Sequence, residues 1–236
     1  MNTSRMSAIS AAVLALLLTG CEFDRAVTGP VKNETISLDL NNAQRANINF
    51  EMRAGELNVR SGTTKLLDGH AEYNVPDWQP RVTDNNSGQT ADVTIAQPEH
   101  GHTGGNTRNR WDFELNSAVL LHLELNCGAG RARLELGDLN LQNVNLHMGA
   151  GEVDLDLEGH PSHSYDVNVA GGVGRATIRL PQKVGIRAEA HGGLGSIEVR
   201  GLTKHDDYYS NDLYGKGSVN VNIKVEGGIG EIRILD

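Results

Sequence analysis

The sequence is poor in aromatic residues, basic clusters and long apolar runs. Phe, Trp and Tyr together make up 4% of the 236 residues, so a core built on large rings is not expected. The formal net charge is −9 and no cluster of Lys and Arg occurs, which argues against nucleic acid or anionic headgroups as partners. No apolar run is long enough for a helix that spans a bilayer, so no transmembrane helix is predicted.

Cysteine is also scarce, with only Cys21 and Cys127 in the chain. Arg5 and the apolar run 8–18 precede Leu18-Thr19-Gly20-Cys21, and the run has the length of the apolar region of a secretion signal. The motif resembles the lipobox of bacterial lipoprotein precursors. This resemblance implies a signal peptide at residues 1–20, acylation of Cys21 with chains such as palmitate, and a lipidated tether at 21–33.

A lipid on Cys21 would attach the protein to the extracytoplasmic side of a bacterial cell envelope, with the choice of membrane left open. Several acyl chains hold a membrane stably where one chain does not. Acylation also leaves Cys127 without a partner for a disulfide within the chain. Cys127 falls on the inward phase of a strand pattern, so it is predicted to be buried.

After the tether, apolar residues recur at every second position, which is the period of a strand with one buried face. A first β region is predicted at 34–115. From 116 to 236 the pattern becomes a repeat, in which the first two copies read Cys127-Gly-Ala-Gly-Arg-Ala-Arg-Leu-Glu-Leu136 and Met148-Gly-Ala-Gly-Glu-Val-Asp-Leu-Asp-Leu157. The anchoring glycines are spaced by 21, 23, 21 and 35 residues, and they are Gly130, Gly151, Gly174, Gly195 and Gly230.

This repeat predicts an all-β fold, a narrow β-solenoid of stacked coils with two strands per coil. Glycine suits the turn between the two strands because it accepts a positive φ and lets backbones approach closely. Stacking in register also predicts charge pairs between neighbouring coils. The expected pairs are Arg131 with Glu152, Glu152 with Arg175, Arg133 with Asp154, and Asp156 with Arg179.

These features resemble the toast-rack family of bacterial lipoproteins, whose solenoid is similar to the extracytoplasmic domain of the LiaF-like proteins of the cell-wall-antibiotic response. The resemblance rests on the five glycine coils and on four motifs before them. It implies a fold and supplies no catalytic residues or cofactor. The four motifs are Ala54-Gly55-Glu56-Leu57, Leu66-Leu67-Asp68-Gly69, Pro76-Asp77-Trp78-Gln79-Pro80 and Asn109-Arg110-Trp111-Asp112.

No motif in the chain predicts chemistry. Strands rather than helices follow the glycines, which argues against a dinucleotide site. His160 and His163 have borderline metal-ligand spacing, but they fall at a turn between strands, where polar residues are expected anyway. Pairing across coils accounts for three of the four residues in the acidic row from Glu152 to Glu158. We therefore predict a protein that is not an enzyme and that has no cofactor, no metal and no catalytic residue.

One segment is not explained by the repeat, namely the insertion at 203–217. It holds three of the five tyrosines, Tyr208, Tyr209 and Tyr214, close to Asp206 and Asp207. Rigid amphipathic rings beside carboxylates suit recognition of a protein or a glycan. The alternative is that one or two of the tyrosines cap the side of the solenoid.

The sequence therefore predicts a lipid-anchored, non-enzymatic module of the cell envelope that binds an unidentified protein or glycan. The first hypothesis is a role as an interaction or sensor module. The resemblance to LiaF-like proteins suggests the envelope-stress response as the setting for this role. A surface adhesin or glycan-binding module is the second, and a polysaccharide-active enzyme is the third.

Overall fold

The computed structural model describes residues 28–98 and 106–236. Cys21, the signal peptide and most of the tether lie outside the described residues, so acylation of Cys21 stays a prediction. Within the described ranges, no helix is long and apolar enough to cross a membrane. The strands are β1 (Lys32–Leu38), β2 (Arg45–Ser61), β3 (Leu67–Tyr73), β4 (Arg81–Ser87), β5 (Thr90–Ala96), β6 (Asn109–Leu115), β7 (Leu120–Glu135), β8 (Leu141–Asp156), β9 (Tyr165–Arg179), β10 (Gly185–Val199), β11 (Thr203–Lys204), β12 (Tyr209–Ser210) and β13 (Asn220–Leu235), with a short 3-10 helix at Pro76–Trp78.

The body of the molecule is a stack of long parallel strands, each of which bends in its middle at a glycine corner. Apolar side chains point inward along both halves of every strand, so the two halves enclose a thin core of Leu, Ile and Val. Each long strand is therefore one rung of a solenoid. The predicted all-β solenoid is confirmed.

The corner glycines stack on one another along the solenoid. Their φ angles lie between +130° and +148° at all five predicted positions, and Gly55 in β2 forms a further corner with φ +142°. At Gly174 an added Cβ would lie 1.8 Å from the carbonyl oxygen of Gly151. Both the backbone angle and the close approach therefore require glycine at this position.

The stacking order departs from the chain order at the C-terminal end. The rungs follow one another as β2, β7, β8, β9, β13 and β10, so the last strand, β13, lies between the two preceding rungs, β9 and β10. Gly230 is in register with Gly174 on one side and with Gly195 on the other. The insertion at 203–217 lies in the connection that carries the chain from the end of β10 back to the start of β13.

The two ends of the stack are covered differently. At the N-terminal end, β2 pairs with β5 along its first half and with β6 along its second half, and β3 and β1 extend this cover. Because β2 also pairs with β7 over its whole length, the N-terminal region is continuous with the solenoid. At the other end, β12 pairs with β10 at Arg187 and Ala188.

Cys127 lies in this core, as predicted, with 6% of its surface exposed. Burial raises the pKa of its thiol to about 12. The thiol is therefore protonated and shielded at neutral pH, which makes it an apolar core residue rather than a reactive group.

Candidate functional site

Every rung has a first half before its corner and a second half after it, and the outward side chains of each half form one outer surface of the solenoid. We call the outward side chains of the first halves the polar face, since Asn, His and acidic residues predominate there. We call those of the second halves the charged face, where Arg alternates with Glu and Asp from rung to rung. The period of two that buries every second side chain also fixes which residues appear on each face.

On the charged face, Arg side chains form ion pairs with Glu and Asp side chains of the neighbouring rungs. Arg131 Nη2 lies 2.7 Å from Glu152 Oε2, and Arg175 bridges Glu152 Oε1 at 3.3 Å and Glu231 Oε2 at 3.0 Å. The hydrogen bond from Arg131, and then its charge, lowers the pKa of Glu152. Asp156 lies 4.0 Å from Arg179, and Arg133 is in register with Asp154. The predicted pairs of Glu152 with Arg131 and Arg175 and of Asp156 with Arg179 are confirmed, and they account for Glu152 and Asp156 without a ligand.

Amide ladders run along the polar face. Asn145 Nδ2 donates to Glu124 Oε2 at 3.0 Å, and Asn168 Nδ2 donates to Asn145 Oδ1 at 3.0 Å. Asn222 Nδ2 donates to Asp166 Oδ1 at 2.8 Å. A side-chain amide has two N–H donors and an oxygen that can accept two hydrogen bonds. Each Asn of these ladders can therefore form a further hydrogen bond with a molecule outside the protein.

A groove of about 690 Å³ crosses the rungs on the polar face, beside the corners. Gly128, Gly149 and Gly172, which each lie two residues before a corner glycine, form part of its lining. The lining also contains polar side chains in register across the rungs, among them Glu51, Asn126, His147 and Glu226, and apolar residues such as Met52 and Met148.

Local contacts orient several of these groups. His147 Nε2 lies 3.4 Å from Glu124 Oε1. Lys224 lies 2.7 Å from Glu226 and, through this hydrogen bond and its charge, lowers the pKa of that carboxyl group. Gln97, another residue of the groove lining, is buried, and its Oε1 accepts the backbone N–H of Arg53 at 2.9 Å. The groove therefore contains hydrogen-bond donors and acceptors that neighbouring residues hold in place, and it contains both positively and negatively charged side chains.

The sequence-predicted tyrosine segment lies at the C-terminal end of the stack, and none of its residues line the groove. Tyr208 stacks on His205 with ring centroids 4.6 Å apart, and the Arg187 guanidinium carbon lies 4.6 Å from the Tyr208 ring centroid. Arg187 points outward from β10 on the polar face, so Tyr208 adjoins this face. Asp206 and Asp207 are exposed beside it.

The other two tyrosines contact the solenoid. Tyr209 packs against the hydrophobic core, and the Tyr214 hydroxyl donates to Asn222 Oδ1 at 3.3 Å. Asn211 fixes the segment, because its Oδ1 accepts the backbone N–H of Ile186 at 2.9 Å and its Nδ2 donates to Val184 O at 2.8 Å. The structure thus brings the three tyrosines to one end of the molecule, where each ring has a contact within the chain.

Residues 28–98 and 106–236 contain no group of three or more His, Cys, Asp or Glu side chains that could hold a metal ion. The groove itself was not predicted. The period of two assigned its side chains to the outside, but the depth of the groove results from the bend of every strand at its corner.

Comparisons with known proteins agree with this architecture. The model of the N-terminal domain of toast_rack, DUF2154, matches residues 27–179. A solved structure from Clostridium sporogenes ATCC 15579, described with a suggested role as a cell adhesion protein, is 31% identical with a TM-score of 0.84, over 87% of this chain and 99% of that chain. No curated protein sequence matches.

Two further solved structures, each described as a suggested adhesin, are more distant. One from Bacteroides fragilis NCTC 9343 is 9% identical with a TM-score of 0.32, over 87% of this chain and 97% of that chain. One from Parabacteroides distasonis ATCC 8503 is 13% identical with a TM-score of 0.26, over 86% and 97%. Similarity at this level carries no functional argument.

Proposed function

The chain belongs to the toast-rack family, and from this premise we propose that it is a non-enzymatic adhesion module of the cell surface, which binds an extended glycan along the groove of its polar face. The observation that carries the proposal is the groove itself, a continuous channel that crosses several rungs. The similarity to the Clostridium sporogenes protein supports the adhesion role.

The chemistry of the groove suits an uncharged or weakly charged polysaccharide. Its amides, imidazole and carboxylates provide donors and acceptors for sugar hydroxyl groups, and they recur with the rung spacing of about 4.8 Å. Bare glycine backbone lets a bulky polymer approach closely. On the charged face, in contrast, Arg131, Arg175 and Glu152 already use donors and acceptors in ion pairs.

The groove is tested by blocking it. Asn126→Trp fills the channel with a large ring, whereas Arg133→Trp puts the same ring on the charged face as a matched control. We expect Asn126→Trp to lower co-sedimentation with purified cell-wall polysaccharide at least tenfold and Arg133→Trp to leave it within twofold. Equal binding by both variants, with unchanged thermal unfolding, would refute the groove as the glycan site.

The tyrosine segment is proposed as a second contact on the same surface, with Tyr208 as its anchor and Asp206 and Asp207 beside it. Truncating an aromatic anchor typically costs about 2 kcal/mol or more of binding free energy. We expect Tyr208→Ala to weaken binding while it leaves the melting temperature unchanged. If Tyr208→Ala or Tyr209→Ala, or Tyr214→Phe, lowers the melting temperature without an effect on binding, the segment is a structural cap.

Attachment to the membrane is proposed through acylated Cys21. Replacement of Cys21 by Ser should abolish incorporation of labelled palmitate and move the protein from the detergent phase to the aqueous phase. A Ser variant that still incorporates the label would exclude this anchor.

A sensor role in an envelope-stress response is the finer proposal that rests on the resemblance to LiaF-like proteins. Such a role requires a defined protein partner. Recovery of one envelope protein by crosslinking in intact cells, together with no polysaccharide binding, would favour the sensor over the adhesin.

A further inference from the structure

The C-terminal end of the solenoid has an uncovered strand edge. Within the described residues, β12 pairs with β10 only at Arg187 and Ala188, and no strand pairs with the outer edge of β10 at 195–199. Unpaired N–H and C=O groups on such an edge can accept another strand. At the opposite end of the stack both halves of the rung β2 are paired on their outer side, and within the described residues the strands with one unpaired edge there are the shorter covering strands β1 and β4.

Apolar residues accompany this edge. Ile197 occupies the inward position that Ile232 fills in β13, yet 41% of its surface is exposed because no further rung covers it. Leu194, at the corner of β10, is 71% exposed. The core of the solenoid is thus open to solvent at its terminal rung, and covering it would remove apolar surface from water.

The geometry points to a second copy of this chain as the occupant, joined through the 195–199 edges in antiparallel pairing about a twofold axis at Ile197. The rung β2 at the other end is already paired on its outer side and cannot continue the stack head to tail, so the free rung edges of two copies are the matching surfaces. Antiparallel strands supply this directly, since each edge is complementary to its own rotated copy.

Backbone direction supports this pairing. The Arg200 N–H donates to Ile234 O at 2.9 Å, toward β13. Because neighbouring residues of a parallel strand alternate in direction, the N–H and C=O groups of Ile197 and Val199 point to the free edge. With the axis at Ile197, the Ile197 of each copy exchanges two backbone hydrogen bonds with the other, and the two exposed core ends meet.

Charge selects the same register. With the axis at Ile197, Ser196 of one copy lies opposite Glu198 of the other, and the hydroxyl can donate to the carboxylate on both sides of the axis. A shift that centres the pair on Glu198 puts two carboxylates directly opposite each other, which is unfavourable. The Ser196–Glu198 pairs fall at non-hydrogen-bonded sites, where the Cα atoms of opposite residues are about 4.5 Å apart, within the range of a disulfide.

The register is tested with cysteines in the full-length, membrane-attached chain. Two variants, Ser196→Cys and Glu198→Cys, are expressed together and separately, oxidised, and examined on a non-reducing gel. We expect a disulfide-linked dimer when both are present in one cell, and at least tenfold less when either is expressed alone. The parent chain, in which Cys127 is buried, should give no dimer.

A second measurement uses sedimentation velocity of the full-length chain in detergent. Leu194→Glu and Ile197→Glu should raise the dissociation constant of the dimer at least tenfold. Val82→Glu, at a similarly exposed apolar residue of β4, should change it less than twofold. A chain that stays monomeric at all concentrations, a crosslink to a different protein in place of the dimer, or equal crosslinking by the single variants would each overturn the proposal. Because no residue of the 195–199 edge lines the groove, a failure here leaves glycan binding unaffected.

Discussion

At the scale of single residues, the side chains at the corners differ between the first three and the last three rungs. Toward the end of the stack they become smaller on the inside of the corner and larger on the outside. The inward corner position holds Met52, Cys127 and Met148 in the first three rungs, but Gly171, Gly227 and Gly192 in the last three. A cavity of about 90 Å³ lies beside these three glycines. The outward corner position changes in the opposite sense, from Ala54, Ala129 and Ala150 to Val173, Ile229 and Leu194.

The cavity makes Gly171 a site for a stabilising substitution. An added Cβ would have its nearest atom, the Met148 carbonyl oxygen, 4.0 Å away. Gly171→Ala should therefore raise the free energy of unfolding by about 0.5 to 1 kcal/mol, because the unfolded chain loses freedom and the cavity is partly filled. Chemical denaturation measures the change.

The neighbouring glycine is a matched control for this prediction. At Gly172 a Cβ would lie 2.4 Å from the Gly149 carbonyl oxygen. Gly172→Ala should lower the free energy of unfolding by about 2 kcal/mol or more, since two backbones must separate. Equal effects of the two substitutions would contradict the packing described for the corner.

Cys127 provides a prediction of reactivity. In a Cys21→Ser background it is the sole cysteine. Its pKa is raised to about 12 by burial, so the folded state holds the proton that the unfolded state loses near its ordinary value of about 8.5. Stability should therefore fall as the pH rises above about 8.5. At pH 8 a maleimide should label Cys127 only in denaturant, and rapid labelling of the native protein would show that the thiol is accessible.

At the scale of elements, the charged face links β8, β9 and β13 through Arg175. The pKa of Glu152 is lowered chiefly by Arg131, and the pKa of Glu231 is lowered first by its hydrogen bond with Arg175. A lowered pKa means that these carboxylates stabilise the fold above their unfolded pKa, about 4.3, and that the contribution is lost as the pH falls through the folded value.

Removal of the Arg175 charge should therefore make the protein more sensitive to acid. We expect Arg175→Gln to raise the midpoint of acid unfolding by roughly half a pH unit, whereas Arg175→Glu should lower stability most near neutral pH, where three adjoining carboxylates are ionised, and lose that penalty as acid protonates them. Circular dichroism during an acid titration measures the midpoint. High salt should reduce the difference between the variants, and a difference that salt does not change would indicate a packing effect instead.

At the scale of the whole molecule, the position of β13 between β9 and β10 can be tested with engineered disulfides. Asn168 is in register with Lys224, and Lys224 with Glu189. Two strands separated by a third are about 9.6 Å apart, beyond the reach of a disulfide of about 7 Å. Asn168→Cys with Lys224→Cys should therefore crosslink within the chain, and Asn168→Cys with Glu189→Cys should not.

Mass spectrometry of the oxidised proteins, in the Cys21→Ser background, distinguishes these outcomes. A crosslink between positions 168 and 189 would mean that β10 lies directly on β9, as a strictly sequential solenoid requires. The equal 21-residue spacing of Gly151 from Gly130 and of Gly195 from Gly174 makes this control necessary, since the spacing itself does not distinguish the two arrangements.

Much of the architecture was determined by the sequence alone, because it depends on local patterns. The period of two assigned inner and outer positions, including burial of Cys127. The recurrent Gly-x-Gly predicted the corners, since only glycine accepts their backbone angles and contacts. In-register stacking then predicted the pairs of Arg131 and Arg175 with Glu152. Each of these inferences needs a strand and its neighbour and nothing more distant.

Tertiary structure decided what depends on contacts between remote segments. The insertion of β13 between β9 and β10 joins strands whose order the repeat leaves open, because every rung offers the same edge to the next. The groove exists because five bent strands lie in register beside their corners. The exposed edge at Ile197 exists because the insertion that contains β12 covers only part of the last rung. Pairing energies between equivalent rungs are similar, so chain connectivity and the capping segments determine which arrangement forms.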